Sequence, residues 1–197
     1  MPDKLLPFDH DTFRASGSAL NVVVTNCNTG SAEYLAARDL MTDINMIQAS
    51  SSLPLLSRMV VVNGTPYLDG GISDSIPLAR SIEEGNKKNI VILTRHKDYR
   101  KEKTGFYSLM KARYRHYPAL LQAIATRHEK YNDTLDFIGA EEAGGSTFVI
   151  RPKEPIGIGR LEKDVEKLQA LYDYGYEEAK SSFDSLINFL QTTDRRC

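Results

Sequence analysis

A series of strand and turn signals between residues 59 and 94 constrains the fold more than any other feature of this 197-residue chain. Two short candidate strands, 59–62 and 65–68, flank Asn63-Gly64, a dipeptide that tolerates positive φ and is typical of a two-residue β-hairpin. A helix then starts near Ile76-Pro77 and ends at Gly85, and a buried-type strand follows at 89–94. Because a helical crossover joins parallel strands, this pattern predicts an α/β fold with helices over a mixed, largely parallel sheet.

The remaining elements are assigned from hydrophobic periodicity and turn residues. Strands at 20–25 and 31–36 flank Asn28-Thr29-Gly30, which predicts a second hairpin. The other predictions are helices over 39–49, 106–131 and 131–143, a strand over 147–150, and one long helix over 161–190 or two broken near Gly175.

Composition excludes several classes of protein. Apolar residues make up 41% of the chain and charged residues 26%, so we expect a single domain over 1–197 that needs no disulfide or structural metal. The only cysteines, Cys27 and Cys197, show no ligand spacing, and neither do the four histidines, so we predict no metal and no cofactor. A net charge of −1 argues against a nucleic-acid partner.

The sequence carries no targeting signal that we recognise. The first seven residues contain no apolar h-region, and no stretch reaches the roughly 18 consecutive apolar residues that a membrane span requires. These observations predict a cytoplasmic protein.

Asp69 is the most informative candidate for chemistry. It follows a predicted strand and precedes Gly70 and Gly71, which would let a substrate or another loop approach the backbone closely. Ligands of α/β proteins bind beyond the carboxyl ends of the strands, where this carboxylate would lie. The alternative is that Asp-Gly-Gly is simply a turn at the end of a strand.

A longer string around Asp69 resembles the aspartate-bearing part of the patatin-like phospholipases. The resemblance rests on the serine turn with Leu-Pro (50–54), the hairpin, Tyr-Leu-Asp-Gly-Gly (67–71) and Ile-Pro-Leu (76–78). Phe-Val-Ile-Arg-Pro at 148–152 and Gly-Arg-Leu-Glu-Lys-Asp at 159–164 are similar to the bacterial branch of that family. The resemblance implies a three-layer α/β fold of the modified hydrolase type, with helices on both faces of the sheet.

The resemblance also implies a reaction, the hydrolysis of carboxylic ester bonds in phospholipids or other acyl esters by a Ser-Asp dyad. Asp69 would be the base that takes the proton of the serine hydroxyl, and Gly70 and Gly71 would shape its loop. A lipid acyl hydrolase of this kind needs neither a metal nor a cofactor.

The nucleophile that this reaction requires is missing from the sequence. No GxSxG motif occurs, and the 68 residues before Asp69 match neither the serine elbow nor the oxyanion loop of the family. The resemblance therefore implies a member lacking its N-terminal part, with the serine encoded elsewhere. Removing one member of a nucleophilic unit costs on the order of 10⁶ in turnover, so we expect this chain alone to be inactive.

A basic stretch at 95–130 supports a competing function. It holds ten Lys or Arg residues against three Asp or Glu, interleaved with Phe106, Tyr107, Leu109 and Tyr114. Such a pattern suits a surface facing anionic lipid head groups, and a noncatalytic α/β module that binds anionic membranes is the alternative to the enzyme. A solvated helix pair with an apolar core side is the plainer interpretation. A surface left uncovered by a missing front part would also favour self-association.

Overall fold

The computed structural model describes residues 8–159 and 162–192. Arg160, Leu161 and Cys197, which the sequence interpretation used, lie outside these residues, as do the first seven. The fold is mixed α/β. Its strands are β1 (Leu20–Asn26), β2 (Ala32–Ala37), β3 (Val60–Val62), β4 (Thr65–Asp69), β5 (Asn89–Ile92) and β6 (Thr147–Ile150). Its helices are α1 (His10–Ala15), α2 (Ile44–Ser50), α3 (Leu78–Glu83), α4 (Tyr107–Arg113), α5 (Pro118–Ala143), α6 (Val165–Ser181) and α7 (Phe183–Gln191).

The described residues form two compact units. The first comprises the described residues up to Ile76 together with Glu102–Tyr131, and the second comprises Pro77–Lys101 and the described residues from Asn132 onward. The first unit contains the four-stranded sheet and Asp69. The second contains β5, β6 and helices α3, α6 and α7.

The sheet of the first unit is antiparallel throughout, with strand order β2-β1-β4-β3. Both predicted hairpins are confirmed. Asn63 and Gly64 both have positive φ, 48° and 80°, as the two-residue turn between β3 and β4 requires. In the central pair, Val24 of β1 lies opposite Asp69 of β4, so the two strands overlap at the end that carries the carboxylate.

Buried apolar clusters lie on both faces of this sheet, because alternate residues of a strand point to opposite sides. On one face, Leu68 packs with Ile72, Tyr114 and the first turns of α5. On the other face, Tyr67 packs in a second cluster that includes Ala49 of α2. The end of β4 is therefore fixed from both sides by buried apolar contacts.

The second unit contains a parallel pair of strands, β5 and β6, with Asn89 opposite Thr147 and Ile92 opposite Ile150. The predicted parallel crossover from β4 through α3 to β5 differs from the structure, since β4 pairs with β1 and β3 while β5 pairs with β6. Within the described residues, parallel pairing is therefore confined to β5 and β6 instead of prevailing through a central sheet.

Several predicted helix boundaries also differ. The break expected at 131 lies between Arg113 and Pro118, because proline disfavours helical φ and ψ at the preceding residue and is well placed in a first turn. The break considered near Gly175 is also displaced, since α6 runs through Gly175 and ends before Ser182, where α7 follows.

The helix predicted from Asp39 begins only at Ile44. The Asp43 carboxylate accepts hydrogen bonds from the backbone N–H groups of Arg38 and Asp39, at 2.8 and 3.1 Å. Such local side-chain bonds offer the backbone an alternative to the helix, which explains the later start.

Candidate functional site

Asp69 is the last residue of β4, the strand-end position that the sequence predicts. Its backbone N–H donates to the Ser52 carbonyl at 2.9 Å, which ties the strand end to the turn after α2. Its carboxylate oxygen Oδ1 accepts a hydrogen bond of 2.7 Å from the Gly71 N–H. The side chain is part-buried, so the carboxylate is held in one orientation at the border of the sheet.

Gly70 is required by the close approach of β1. A Cβ added to this residue would stand 2.2 Å from the Val23 carbonyl oxygen and 2.9 Å from the Val23 Cβ. Gly70 begins a single turn of 3₁₀ helix, Gly70–Ile72, and its carbonyl accepts from the N–H groups of Ser73 and Asp74. The loop after Asp69 is thus compact and pressed against the central strand.

A buried hydroxyl holds this loop from beneath. Thr25 of β1 is fully buried, and its Oγ1 donates to the Asp69 carbonyl at 2.8 Å. The Thr25 and Ser73 hydroxyl oxygens lie 2.8 Å apart. Either hydroxyl can be the donor in this second contact, because Thr25 also reaches the Asp69 carbonyl and Ser73 also reaches the Gly70 carbonyl. Nothing in the local sequence distinguishes Thr25 from other threonines of a β-branched strand.

Arg127 of α5 reaches the same loop. Its Nε donates to the Gly71 carbonyl at 2.5 Å. The position that a Cβ on Gly71 would take is 3.0 Å from Asp69 Oδ1 and 3.3 Å from Arg127 Nη2, so Gly71 lies between the carboxylate and the guanidinium. Arg127 is one of the ten basic residues of 95–130, and nothing in the sequence around it shows that it contacts the Asp-Gly-Gly loop.

An open cleft of about 520 Å³ adjoins the loop. This volume falls within the range of small-molecule sites, roughly 300–1,000 Å³, and apolar atoms make up most of the wall. The lining residues come from the start of β1 (Leu20, Asn21, Val22, Val23), the end of α2 (Ile47, Ser50, Ser51) and the loop (Asp69, Gly70, Gly71, Asp74, Ser75).

Of the three serines that line the cleft, Ser51 and Ser75 direct their hydroxyls to backbone carbonyls. Ser51 Oγ donates to Ile47 O at 3.0 Å, as expected for a serine that satisfies its own turn. Ser75 Oγ donates to Gly71 O at 2.8 Å. Neither hydroxyl proton is directed to Asp69 in this arrangement.

Asp74 has a structural bonding pattern. Its Oδ2 accepts from the Tyr34 hydroxyl at 2.6 Å, and its Oδ1 accepts from the Ile76 N–H at 3.2 Å. Asp74 lies before α3 without capping it, because α3 begins only at Leu78 and has Pro77 at its N-cap. Asp74 therefore closes a turn ahead of the helix and joins this turn to β2.

Cys27 and Tyr67 lie close to the same two central strands but are not poised for neutral-pH chemistry. Burial raises the pKa of the Cys27 thiol to about 12, which keeps it protonated and unreactive. Burial also raises the pKa of Tyr67, and so does its hydrogen bond to the Glu33 carboxylate. The Tyr67 hydroxyl donates to Glu33 Oε2 at 2.5 Å, so this residue supports β2.

Metal and membrane features can be stated for the part of the chain that the structure describes. There, no group of three or more His, Cys, Asp or Glu side chains is placed to hold a metal ion. Nor does any helix within 8–159 and 162–192 combine the length and apolar character needed to cross a bilayer.

Comparison with known proteins finds a family profile and a relative. Residues 117–191 match the profile of a domain of unknown function, DUF6363. This matched range includes Arg127 but not Asp69. The uncharacterized protein YjjU of Escherichia coli (strain K12) is 44% identical over 52 residues, which are 26% of this chain and 15% of that protein. The match thus spans a small part of a longer relative. Neither description names an activity.

Proposed function

We propose that this chain is the aspartate-bearing part of a patatin-like lipid acyl hydrolase, and that Asp69 is the general base of a Ser-Asp dyad. The observation that carries the proposal is the position of the Asp69 carboxylate, held at a strand end and on the wall of an open, largely apolar cleft. An acyl chain suits such a wall, and a base must lie beside the bond that it helps to break.

The proposed reaction assigns a separate task to each part of the loop. The Gly71 N–H orients Oδ1 of Asp69, so the carboxylate can take a serine proton as the serine oxygen bonds to the ester carbonyl carbon. Collapse of the tetrahedral intermediate breaks the ester C–O bond, and Asp69 returns the proton to the leaving alcohol. Water then attacks the acyl-enzyme while Asp69 takes its proton. Collapse of the second tetrahedral intermediate releases the fatty acid, and the proton returns to the serine.

The serine itself is proposed to come from a polypeptide segment outside this sequence. Ser51 and Ser75 donate to backbone carbonyls, and no GxSxG motif occurs in 1–197. The proton transfer requires a serine Oγ at about 2.6–3.2 Å from the carboxylate, a place that a segment lining the cleft could fill. We therefore expect no ester hydrolysis from this chain by itself.

The packing of α2 on one face of the antiparallel sheet in the first unit and of α5 on the other supports the finer fold proposal, a three-layer arrangement of the patatin type. The alternative, a noncatalytic module, would keep these layers without needing an open cleft beside Asp69.

The decisive experiment begins with the DNA immediately upstream of Met1. If the upstream reading frame is continuous and encodes a GxSxG motif, the extended protein is purified and assayed on a p-nitrophenyl ester and on phospholipid. We expect Asp69→Asn to lower kcat by about 10²–10⁴, the usual contribution of a general base.

Asp74→Asn is the matched control, because Asp74 lines the same cleft but is bonded to Tyr34 and Ile76. It should retain most of the activity. An extended protein whose Asp69→Asn variant keeps its activity would overturn the proposal. An in-frame stop codon directly before a genuine start at Met1 would favour the noncatalytic module.

A further inference from the structure

The short helix α4 is fixed to the first unit by its inner side. Met110 packs against the cluster that contains Leu68 and Ile72. Tyr114, which follows the helix, is 2% exposed, and its hydroxyl accepts a hydrogen bond of 2.9 Å from the Leu55 N–H. These contacts determine which residues of the segment face outward.

The outward residues form what we call the α4 surface: Lys103, Phe106, Leu109, Lys111, Arg113 and Arg115. Phe106 is 71% exposed and Leu109 is 57% exposed. Large apolar side chains this exposed, beside cations, are typical of a surface that meets a partner or a lipid interface.

The charge of this segment is of one sign. Between Lys103 and Arg115 the sequence has four basic residues and no acidic one. Long cationic side chains beside exposed apolar groups match a bilayer that carries anionic head groups, where the cations meet phosphate and the apolar groups enter the acyl boundary.

A second exposed apolar face, on α6, shows why apolar exposure alone does not identify a surface that binds an anionic bilayer. On α6, Val165, Leu168, Tyr172 and Tyr176 recur at helical spacing and are all exposed. That helix, however, carries four acidic residues and two basic ones, so an anionic bilayer would repel it. The same apolar character with opposite charge makes α6 an internal control.

The geometry points to the α4 surface as a docking site for the surface of an anionic phospholipid bilayer, with Phe106 and Leu109 entering the head-group boundary. The inference concerns binding by this chain and does not depend on the chemistry at Asp69.

The test uses the absence of tryptophan from the chain. Phe106→Trp places the single tryptophan of that variant on the α4 surface, and Tyr172→Trp places the single tryptophan of a second variant on α6. The two proteins are titrated with vesicles of phosphatidylcholine alone and of phosphatidylcholine mixed with phosphatidylglycerol. We expect a blue shift in the emission of the α4 probe with the anionic vesicles only, weakening as salt is added, and no shift for the α6 probe.

Flotation with the same vesicles tests the charges. Lys103→Gln with Lys111→Gln should lower the partition coefficient about 30-fold, since each interfacial cation contributes about fivefold. Lys167→Gln with Lys180→Gln, two exposed lysines of α6, should leave it unchanged. Circular dichroism confirms that each variant is folded.

Three results would overturn the inference: equal binding to neutral vesicles, unchanged flotation of the Lys103 and Lys111 variant, or a blue shift from the α6 probe in place of the α4 probe. Binding to polyglutamate or heparin without binding to anionic vesicles would assign the surface to an acidic polymer and would equally reject a lipid partner.

Discussion

Glycine turns close both ends of β4, but the two ends need glycine for different reasons. At the start, Gly64 has φ +80° and a Cβ there would meet no atom within 4 Å, so only the backbone angle calls for glycine. At the other end, Gly70 has no positive φ, yet a Cβ would collide with the Val23 carbonyl. The first turn is an open hairpin, whereas the second is packed against the central strand.

This difference distinguishes an ordinary turn from a loop that positions a side chain. The Asn63-Gly64 turn is satisfied by its own geometry. The loop after Asp69 is held by Val23, by the Thr25 hydroxyl and by Arg127, which come from β1 and α5. These contacts hold the backbone of the loop, and the Gly71 N–H of that loop donates to the Asp69 carboxylate.

The largest effect is expected for Gly70→Ala. The added methyl group would overlap backbone that is fixed in the middle of the sheet, so we expect a loss of about 3 kcal/mol or more in the free energy of unfolding. Urea unfolding followed by circular dichroism measures it, and soluble yield reports the loss if the variant fails to fold.

Gly71→Ala is the control for that variant, because its nearest neighbours are the ends of the Asp69, Arg127 and Ser75 side chains, which can move. Its cost should be clearly smaller. Equal costs at 70 and 71 would show that overlap with the Val23 backbone is not what makes Gly70 necessary.

The next effect is expected for Thr25→Val, which keeps the shape of the side chain and removes the hydroxyl. Because the Asp69 carbonyl and the Ser73 hydroxyl both lose the Thr25 hydroxyl as a partner at part-buried positions, we expect a loss of about 2 kcal/mol. The same urea titration measures it. Thr29→Val removes a hydroxyl that accepts an exposed hydrogen bond of 3.3 Å from the Ser31 N–H, and it should change the value by less than about 0.5 kcal/mol. Equal small effects would mean that the hydroxyl does not hold the loop.

Gly64→Ala tests the open end of β4. With no neighbour to collide with, the only cost is the left-handed backbone conformation, about 1 kcal/mol. Gly64→Asn should cost less, since asparagine tolerates this region. A loss as large as that of Gly70→Ala would remove the distinction between the two turns.

The sequence predicts what is decided locally. Asn63-Gly64 and Asn28-Thr29-Gly30 specify their hairpins through the angles that those residues accept, and both are observed. The position of Asp69 at a strand end follows from the same local pattern. Two features were not predicted, the contact of Arg127 with the loop and the antiparallel pairing of β4 with β1. Both depend on which distant segments meet, and neither residue type nor periodicity records that.

The smallest effect is expected at a glycine that is required neither by a positive φ nor by the close approach of other atoms. Gly139 lies inside α5, has no positive φ, and a Cβ there would meet nothing within 4 Å. Alanine restricts the unfolded chain and is the better helix former, so Gly139→Ala should raise the free energy of unfolding by about 0.5–1 kcal/mol. The sign, read from the urea midpoint, is the informative result. A loss here would mean that replacing glycine is harmful in this protein for some reason other than φ or space, and the costs at 64 and 70 would then need a different explanation.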